Sequence, residues 1–165
     1  ENKGQVVSMD IYQNKLNELK RRARRNGIHN IETRLIDSTK VIKKMIGKAD
    51  KVLIDAPCSG LGVLKRNPDT KWKMQPDFLE KIKETQRELL NSYSRMVKDG
   101  GQLVYATCSI LPSENNKQVA DFLSREEGAD FTLVSEEKLL AHKTGFDGFY
   151  IALLQRKEAA TDPTT

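Results

Sequence analysis

Two cysteines, Cys58 and Cys108, stand in matching surroundings fifty residues apart. The first lies in Leu53-Ile54-Asp55-Ala56-Pro57-Cys58-Ser59-Gly60, the second in Leu103-Val104-Tyr105-Ala106-Thr107-Cys108-Ser109. Each follows an apolar run suited to a buried strand, and each is followed by serine. The chemistry open to such residues is nucleophilic attack by a thiolate, which needs a lowered pKa or a nearby base. Taken singly, either cysteine reads as a small buried hydrophobe. Taken together, at the C-terminal ends of two strands, they read as reactive. A disulfide is open arithmetically but disfavoured where thiols stay reduced. No metal site is expected, because Cys58, Cys108, His29 and His142 lack the short paired spacing of zinc ligands.

Acids mark further strand ends. Asp10, Asp37 and Asp55 each close a strand-like run. In open α/β sheets ligands bind beyond the carboxyl ends of the strands. A lone Asp there is more often a turn or helix cap; three in succession shift the reading toward a site. Asp10, with a helix beginning directly after it, suits the hydroxyls of a ribose. The Gly-rich turn that should precede such an acid is not upstream of it. Gly60-Leu61-Gly62 and Gly100-Gly101 do not replace it, since neither opens a helix after a first strand. The expectation is a nucleotide-binding unit that lacks its first strand, phosphate loop and first helix.

The elements that must position these residues can be read in order. Residues 5–10 form a strand. Tyr12, Leu16, Leu19 and Ala23 recur at helical spacing, and Asn26-Gly27 closes that helix. Residues 31–37 form a second strand, and Val41, Ile42, Met45 and Ile46 a short helix stopped by Gly47. Residues 51–55, the most apolar strand, should be the most central. Residues 56–76, with three prolines and two glycines, make a long functional loop. Phe78, Ile82, Leu89, Tyr93 and Met96 outline a long amphipathic helix ended by Gly100-Gly101. Residues 102–107 form the fourth strand. A helix starts near Pro112, with Ser113 as N-cap and Glu114 at the positive end of its dipole, and Val119, Phe122 and Leu123 facing inward. Residues 131–134 and 148–154 form two last strands, able to pair as an antiparallel hairpin closing one edge. Strands alternating with helices imply a mostly parallel α/β sheet with right-handed crossovers. The expected organisation is one domain over 1–156 and a disordered polar tail over 157–165.

Composition sets outer limits. The 165 residues suffice for one domain with a core, and 38% hydrophobic with 31% charged residues is ordinary for a soluble protein. No apolar run reaches membrane-spanning length and no signal peptide is visible, so the reading is cytoplasmic, with no membrane partner. A net charge of +5 weakly favours an anionic partner such as nucleic acid. The basic run from Lys20 to Arg25 reads first as a solvated helix face and only second as an RNA contact. Oligomeric state is not legible.

At these residues the chain resembles the Sun/Nop family of RNA cytosine-5 methyltransferases. The family's motif IV is matched by Asp55-Ala56-Pro57-Cys58-Ser59-Gly60-Leu61-Gly62. Its continuation is matched by Lys65-Arg66-Asn67-Pro68-Asp69 with Lys71-Trp72. Motif VI is matched by Tyr105-Ala106-Thr107-Cys108-Ser109 followed by Pro112-Ser113-Glu114-Asn115. The C-terminal signature is matched by Asp147-Gly148-Phe149-Tyr150-Ile151-Ala152. The resemblance runs in order to Arg156. It implies a Rossmann-like methyltransferase sheet with one antiparallel strand, S-adenosylmethionine as cofactor, and RNA as substrate, ribosomal more than transfer RNA. It gives Cys108 the attack on carbon 6 of cytosine and Cys58 the release of product. Asp55 would hold the base and lie close to the cofactor, Asp10 its ribose hydroxyls, and Asp37 its adenine amino group. Lys65, Arg66 and Lys71 would hold phosphates, while Trp72 is read as packing rather than stacking on a base. Motif I of the family is not matched. A first strand between those ending at Asp10 and Asp55 should therefore be missing, and weak cofactor binding and inactivity of this stretch alone are expected.

Two further readings stand beside this one. An amino-group nucleic-acid methyltransferase would need no cysteine nucleophile, and Asp55-Ala56-Pro57-Cys58 loosely resembles the acid-Pro-Pro-aromatic motif of those enzymes. A non-catalytic RNA-binding module would keep the core with a vestigial site.

Overall fold

Strand β1 (Val6–Asp10) leads into helix α1 (Gln13–Arg25) and then strand β2 (Ile31–Leu35). The two strands pair in parallel, with Asp10 opposite Leu35. Helix α1 turns Leu16 and Ala23 inward, seven residues or two turns apart. Asn26 caps it and Gly27 takes the left-handed conformation at φ 65°, as the Asn-Gly pair predicts. A short helix α2 (Thr39–Lys43) follows. The structure, a computed structural model, describes residues 2–159. Its contacts divide between Met45 and Ile46 into two compact units, and these elements make up the first.

The second unit is a four-stranded sheet. Strand β3 (Ala49–Asp55) precedes a loop that holds a 3-10 turn (Leu61–Val63) and helix α3 (Thr70–Lys73). Helix α4 (Pro76–Ser94), with proline in its first turn where no N–H is missed, leads to β4 (Val97–Thr107). A 3-10 turn (Pro112–Glu114), helix α5 (Asn116–Leu123) and a third 3-10 turn (Glu126–Gly128) come next. Strand β5 (Phe131–Leu139), helix α6 (Ala141–Thr144) and strand β6 (Phe149–Arg156) complete the unit. The strand order is β3-β4-β6-β5. Strands β3 and β4 are parallel, and β6 runs antiparallel to both of its neighbours. The sheet is therefore mostly parallel with one reversed strand, as expected.

Five details differ from expectation. Strand β3, expected to be the most central, stands at the end of the order β3-β4-β6-β5, with only alternate side chains (Val52, Ile54) buried and Leu53 67% exposed. The last two strands do pair antiparallel, but β6 lies inside the sheet and β5 alone forms that edge. The reason is burial: Tyr150, Ala152 and Leu154 are at most 2% exposed on alternate positions of β6, so it needs neighbours on both sides. Gly100-Gly101 does not end the long helix, which stops at Ser94; the pair sits within β4, at an irregularity of the β3–β4 register. There Gly100 has φ +69°, and a Cβ on Gly101 would meet the Lys98 carbonyl oxygen at 2.8 Å. Ser113 is not an N-cap, because residues 112–114 form a separate 3-10 turn and Asn115 precedes α5. The long loop after Cys58 is partly helical.

The core lies between the sheet and helices α4 and α5. Leu90, Leu103, Tyr105, Val119, Phe122 and Leu154 are fully or almost fully buried. The Phe122 and Phe131 rings are 5.6 Å apart, and Tyr105 meets Tyr150 edge to face. Of the expected tail, residues 160–165 lie outside the described residues. Lys157 still belongs to the fold, its N–H donating to the Asp130 carbonyl at 2.8 Å. Among the described residues, no helix is long and apolar enough to cross a membrane.

Candidate active site

Strands β3 and β4 end side by side, with Asp55 opposite Ala106. Their following loops therefore start together and bring Cys58 and Cys108 into contact. The sulfurs are 3.2 Å apart, well beyond a disulfide bond, and both thiols are free and half-buried. Such a pair titrates as a unit. The first proton lost leaves a thiolate on Cys108 that accepts the remaining S–H of Cys58. That hydrogen bond is the chief reason the Cys108 pKa falls to about 7. Burial and the charges of Asp55 and Glu114 push it back up. The Cys58 thiol is pushed well above its ordinary range, first by the same hydrogen bond and then by burial.

The loops carrying the thiols are fixed on both flanks of each cysteine. Before Cys58, the Pro57 carbonyl accepts from Gln86 Nε2 at 2.9 Å. After it, the Ser59 N–H donates to Glu114 Oε1 at 2.7 Å. Before Cys108, Thr107 Oγ1 donates to Asn115 Oδ1 at 2.6 Å. After it, the Ser109 carbonyl accepts from Asn115 Nδ2 at 2.9 Å, and the Ser109 hydroxyl donates to Glu114 Oε2. A third loop closes the stack. Gly62 N–H donates to the Cys108 carbonyl at 2.9 Å, and Gly148 N–H to the Gly62 carbonyl at 2.7 Å. A Cβ on Gly62 would lie 2.1 Å from the Gly148 oxygen, so only glycine permits this approach.

Glu114 and Asn115 enter the sequence reading only within the motif VI resemblance, Glu114 also at a helix dipole, and neither they nor Gln86 are given a role in the site. In the structure Glu114 is 0% exposed and sits between the two cysteine loops. The signal available beforehand was weak: a Glu beside an apolar helix start, and a lone Gln on the apolar stripe of α4. Burial of both becomes visible only once β3 and β4 are paired.

The other expected residues divide by unit. Asp55 ends β3, exposed, in the second unit. Asp10 and Asp37 belong to the first unit, one ending β1 and the other two residues beyond the end of its neighbour β2. Asp10 Oδ1 accepts from the Tyr12 N–H at 2.8 Å and Oδ2 lies 3.7 Å from Lys15, while Asp37 accepts from the Ser38 hydroxyl. Each carboxylate keeps acceptor capacity beyond these bonds, which suits hydroxyl or amino donors of a nucleoside. Lys65, Arg66 and Lys71 are exposed, and Arg66 pairs with Asp147 at 2.7 Å. Trp72 does not pack: it is 77% exposed, with the Lys71 ammonium 4.7 Å from its ring centroid. No cluster of His, Cys, Asp and Glu able to hold a metal occurs among the described residues.

Comparison with known proteins bears on this arrangement. A family model described as 16S rRNA methyltransferase RsmB/F matches residues 1–155. The probable ribosomal RNA small subunit methyltransferase B of Bacillus subtilis (strain 168) is 33% identical over 172 residues, covering 94% of this chain and 38% of the relative. The crystal structure of PH0851 superposes with a TM-score of 0.86 at 34% identity, covering 94% of this chain and 38% of that one. NSun6 from Pyrococcus horikoshii superposes at 0.82 and 27% identity, covering 96% and 43%. The chain thus spans about two fifths of the length of these proteins.

Proposed function

This chain belongs to the 16S rRNA methyltransferase RsmB/F family, and from that membership we propose that it transfers a methyl group from S-adenosylmethionine to carbon 5 of cytosine in RNA. The RNA we propose is ribosomal rather than transfer RNA, and the setting cytoplasmic. The observation that carries the reading is the pair of free thiols, 3.2 Å apart, at the neighbouring ends of β3 and β4.

The need for a nucleophile follows from the substrate. Carbon 5 of cytosine is a poor nucleophile, and covalent addition splits one hard step into easier ones. The Cys108 thiolate pair forms the bond to carbon 6, and the electrons of the 5,6 double bond become available at carbon 5. Asp55 hydrogen-bonds the base at ring nitrogen 3, favouring its protonation and drawing electrons from carbon 6. S-adenosylmethionine supplies the electrophilic methyl group. Asp10, Asp37 and Asp55 are the residues we assign to it, the first two to ribose hydroxyls and the adenine amino group. After transfer, water takes the carbon 5 proton, the pair of that C–H bond re-forms the 5,6 double bond and the sulfur–carbon pair returns to Cys108 as the thiolate. Cys58, already hydrogen-bonded to that sulfur, assists its departure. Lys65, Arg66 and Lys71 hold phosphates beside the site. The target base must leave its stack, so single-stranded or locally opened RNA is the cheaper substrate.

Incubation of the intact protein with RNA carrying 5-fluorocytosine tests the reading. The fluorine blocks loss of the group at carbon 5, so a covalent complex should accumulate and vanish in Cys108→Ala. Unchanged methylation by Cys108→Ser would instead favour transfer to an exocyclic amino group, which needs no thiol.

A further inference from the structure

We propose that Glu114 is the positioning residue of the two-thiol site: its buried carboxylate ties the loop after Cys58 to the loop after Cys108 and so sets the distance between the sulfurs. Its consequence for methylation rests on the function proposed above; the contacts themselves do not.

The argument starts from burial. A carboxylate at 0% exposure is costly unless each oxygen is fully engaged. Glu114 meets that condition. Oε1 accepts from the Ser59 N–H at 2.7 Å and from Gln86 Nε2 at 3.1 Å. Oε2 accepts from the Ser59 hydroxyl at 2.5 Å and from the Ser109 hydroxyl. The two hydroxyl oxygens, 3.1 Å apart, in turn accept backbone N–H groups of Leu61 and Leu111 at 3.5 and 3.1 Å. The donors of Glu114 are therefore the residue after each cysteine, together with Gln86, which also holds the residue before Cys58. The backbone of Glu114 is anchored as well, its carbonyl accepting from the buried Tyr105 hydroxyl at 2.8 Å. A purely architectural carboxylate could sit anywhere in the core. This one bridges the two segments whose relative placement decides whether one thiol can donate to the other.

Replacement by glutamine separates position from charge. Its oxygen can keep the Ser59 N–H and Gln86 donors, and its NH2 can donate to the serine hydroxyl oxygens. Replacement by alanine removes every tie. A positioning role therefore predicts that Gln substitutes and Ala does not.

The test is site-resolved alkylation of Cys108 by iodoacetamide across pH, read by mass spectrometry in the intact protein without RNA or cofactor. The titratable groups facing Cys108 are Cys58, Asp55 and Glu114. Unaltered protein should show a midpoint near 7. In Glu114→Ala the sulfurs separate, the midpoint climbs toward the ordinary thiol value, and the rate at pH 7 falls about tenfold. Glu114→Gln should stay within about threefold of the unaltered rate, any change being upward because the Glu114 charge opposes the Cys108 thiolate. Ser109→Ala removes one tie without stranding the carboxylate, and should lower the rate by about threefold even if Glu114→Ala does not fold. An unchanged profile in folded Glu114→Ala, or in Ser109→Ala, overturns the proposal. So does a Glu114→Gln profile as damaged as that of Glu114→Ala, because glutamine keeps the ties and loss of the Glu114 charge alone would lower the Cys108 midpoint. Because no RNA is present, failure of the cytosine-5 reading leaves this result untouched. Loss of the 5-fluorocytosine complex with normal alkylation would fault that reading alone.

Discussion

The thiol pair makes opposite demands on its two members. On the proposed mechanism Cys108 must be ionised to attack and Cys58 must stay protonated to hold it so; the hydrogen bond between them would serve both. Removing the donor should therefore reverse the shift. In Cys58→Ala the Cys108 pKa rises from about 7 toward about 8.5, the ordinary thiol value. A thiol ionises as pH rises, so the acid limb of adduct formation moves up by the same interval, and at pH 7 the thiolate fraction falls from about half to a few per cent. The same variant should release RNA slowly, because nothing assists departure of the sulfur. Covalent RNA on denaturing gels that forms slowly near pH 7 yet persists is the expected outcome; ordinary turnover would count against the division of labour. In α3, within the loop after Cys58, exposed Trp72 with Lys71 over its ring has the form of a stacking platform with a phosphate contact. Trp72→Ala should weaken RNA binding by about 1 kcal/mol without lowering the melting temperature. Lys71→Gln should reduce the salt dependence of binding by about one phosphate contact, a slope change of roughly 0.7 for single strands.

At the scale of elements, three loops must stack for the site to exist, and glycine permits the closest approach. Gly62→Ala would place a methyl group 2.1 Å from the Gly148 oxygen and 2.6 Å from that of Cys108. The loops must part, at a cost of about 1–3 kcal/mol, and Cys108 loses the N–H that fixes its carbonyl. Denaturant unfolding should register the loss, and Cys108 alkylation should register the displacement. Phe122→Ala, in contrast, empties the core behind the site, between α5 and β5, and should cost about 3–5 kcal/mol with a small effect on the alkylation midpoint. These elements also show what a sequence can and cannot display. The strands ending at Asp10, Asp55 and Thr107 were legible because apolar runs broke at polar residues, and the pairing of two cysteine-bearing strand ends followed. The extension of β4 back to Val97 was not legible. Gly100-Gly101 resembles a helix stop in one dimension and proves to be an irregularity within a strand. Glu114 is hidden for a similar reason: local position suggests a helix-dipole role, whereas its partners at Ser59 and Gln86 are 55 and 28 residues away.

For the whole molecule, the two units differ in how much core each possesses. Among the described residues of the first, Leu16 and Ala23 are the buried apolar side chains, and its sheet has two strands. A two-stranded sheet with so little covered surface is marginal in water. The second unit buries Leu90, Leu103, Tyr105, Val119, Phe122, Tyr150 and Leu154 around four strands. Stability should therefore be uneven, with the first unit opening at a lower free energy than the second. Native-state hydrogen exchange reads this directly: amides of β1 and β2 should exchange through a separate, less costly opening, while those of β4 and β6 report global unfolding. A single protection level across both units would refute the division. The same measurement tests the acids assigned to the cofactor. If Asp10 and Asp37 hold S-adenosylmethionine, ligand at 100 times its dissociation constant should raise the opening free energy of β1 and β2 by about 2.7 kcal/mol. Asp10→Asn should reduce that gain, since an amide presents one acceptor oxygen where the carboxylate presents two. Protection gained only in β3 and β4, with β1 and β2 unchanged, would remove Asp10 and Asp37 from the cofactor site and leave Asp55 as the assigned contact.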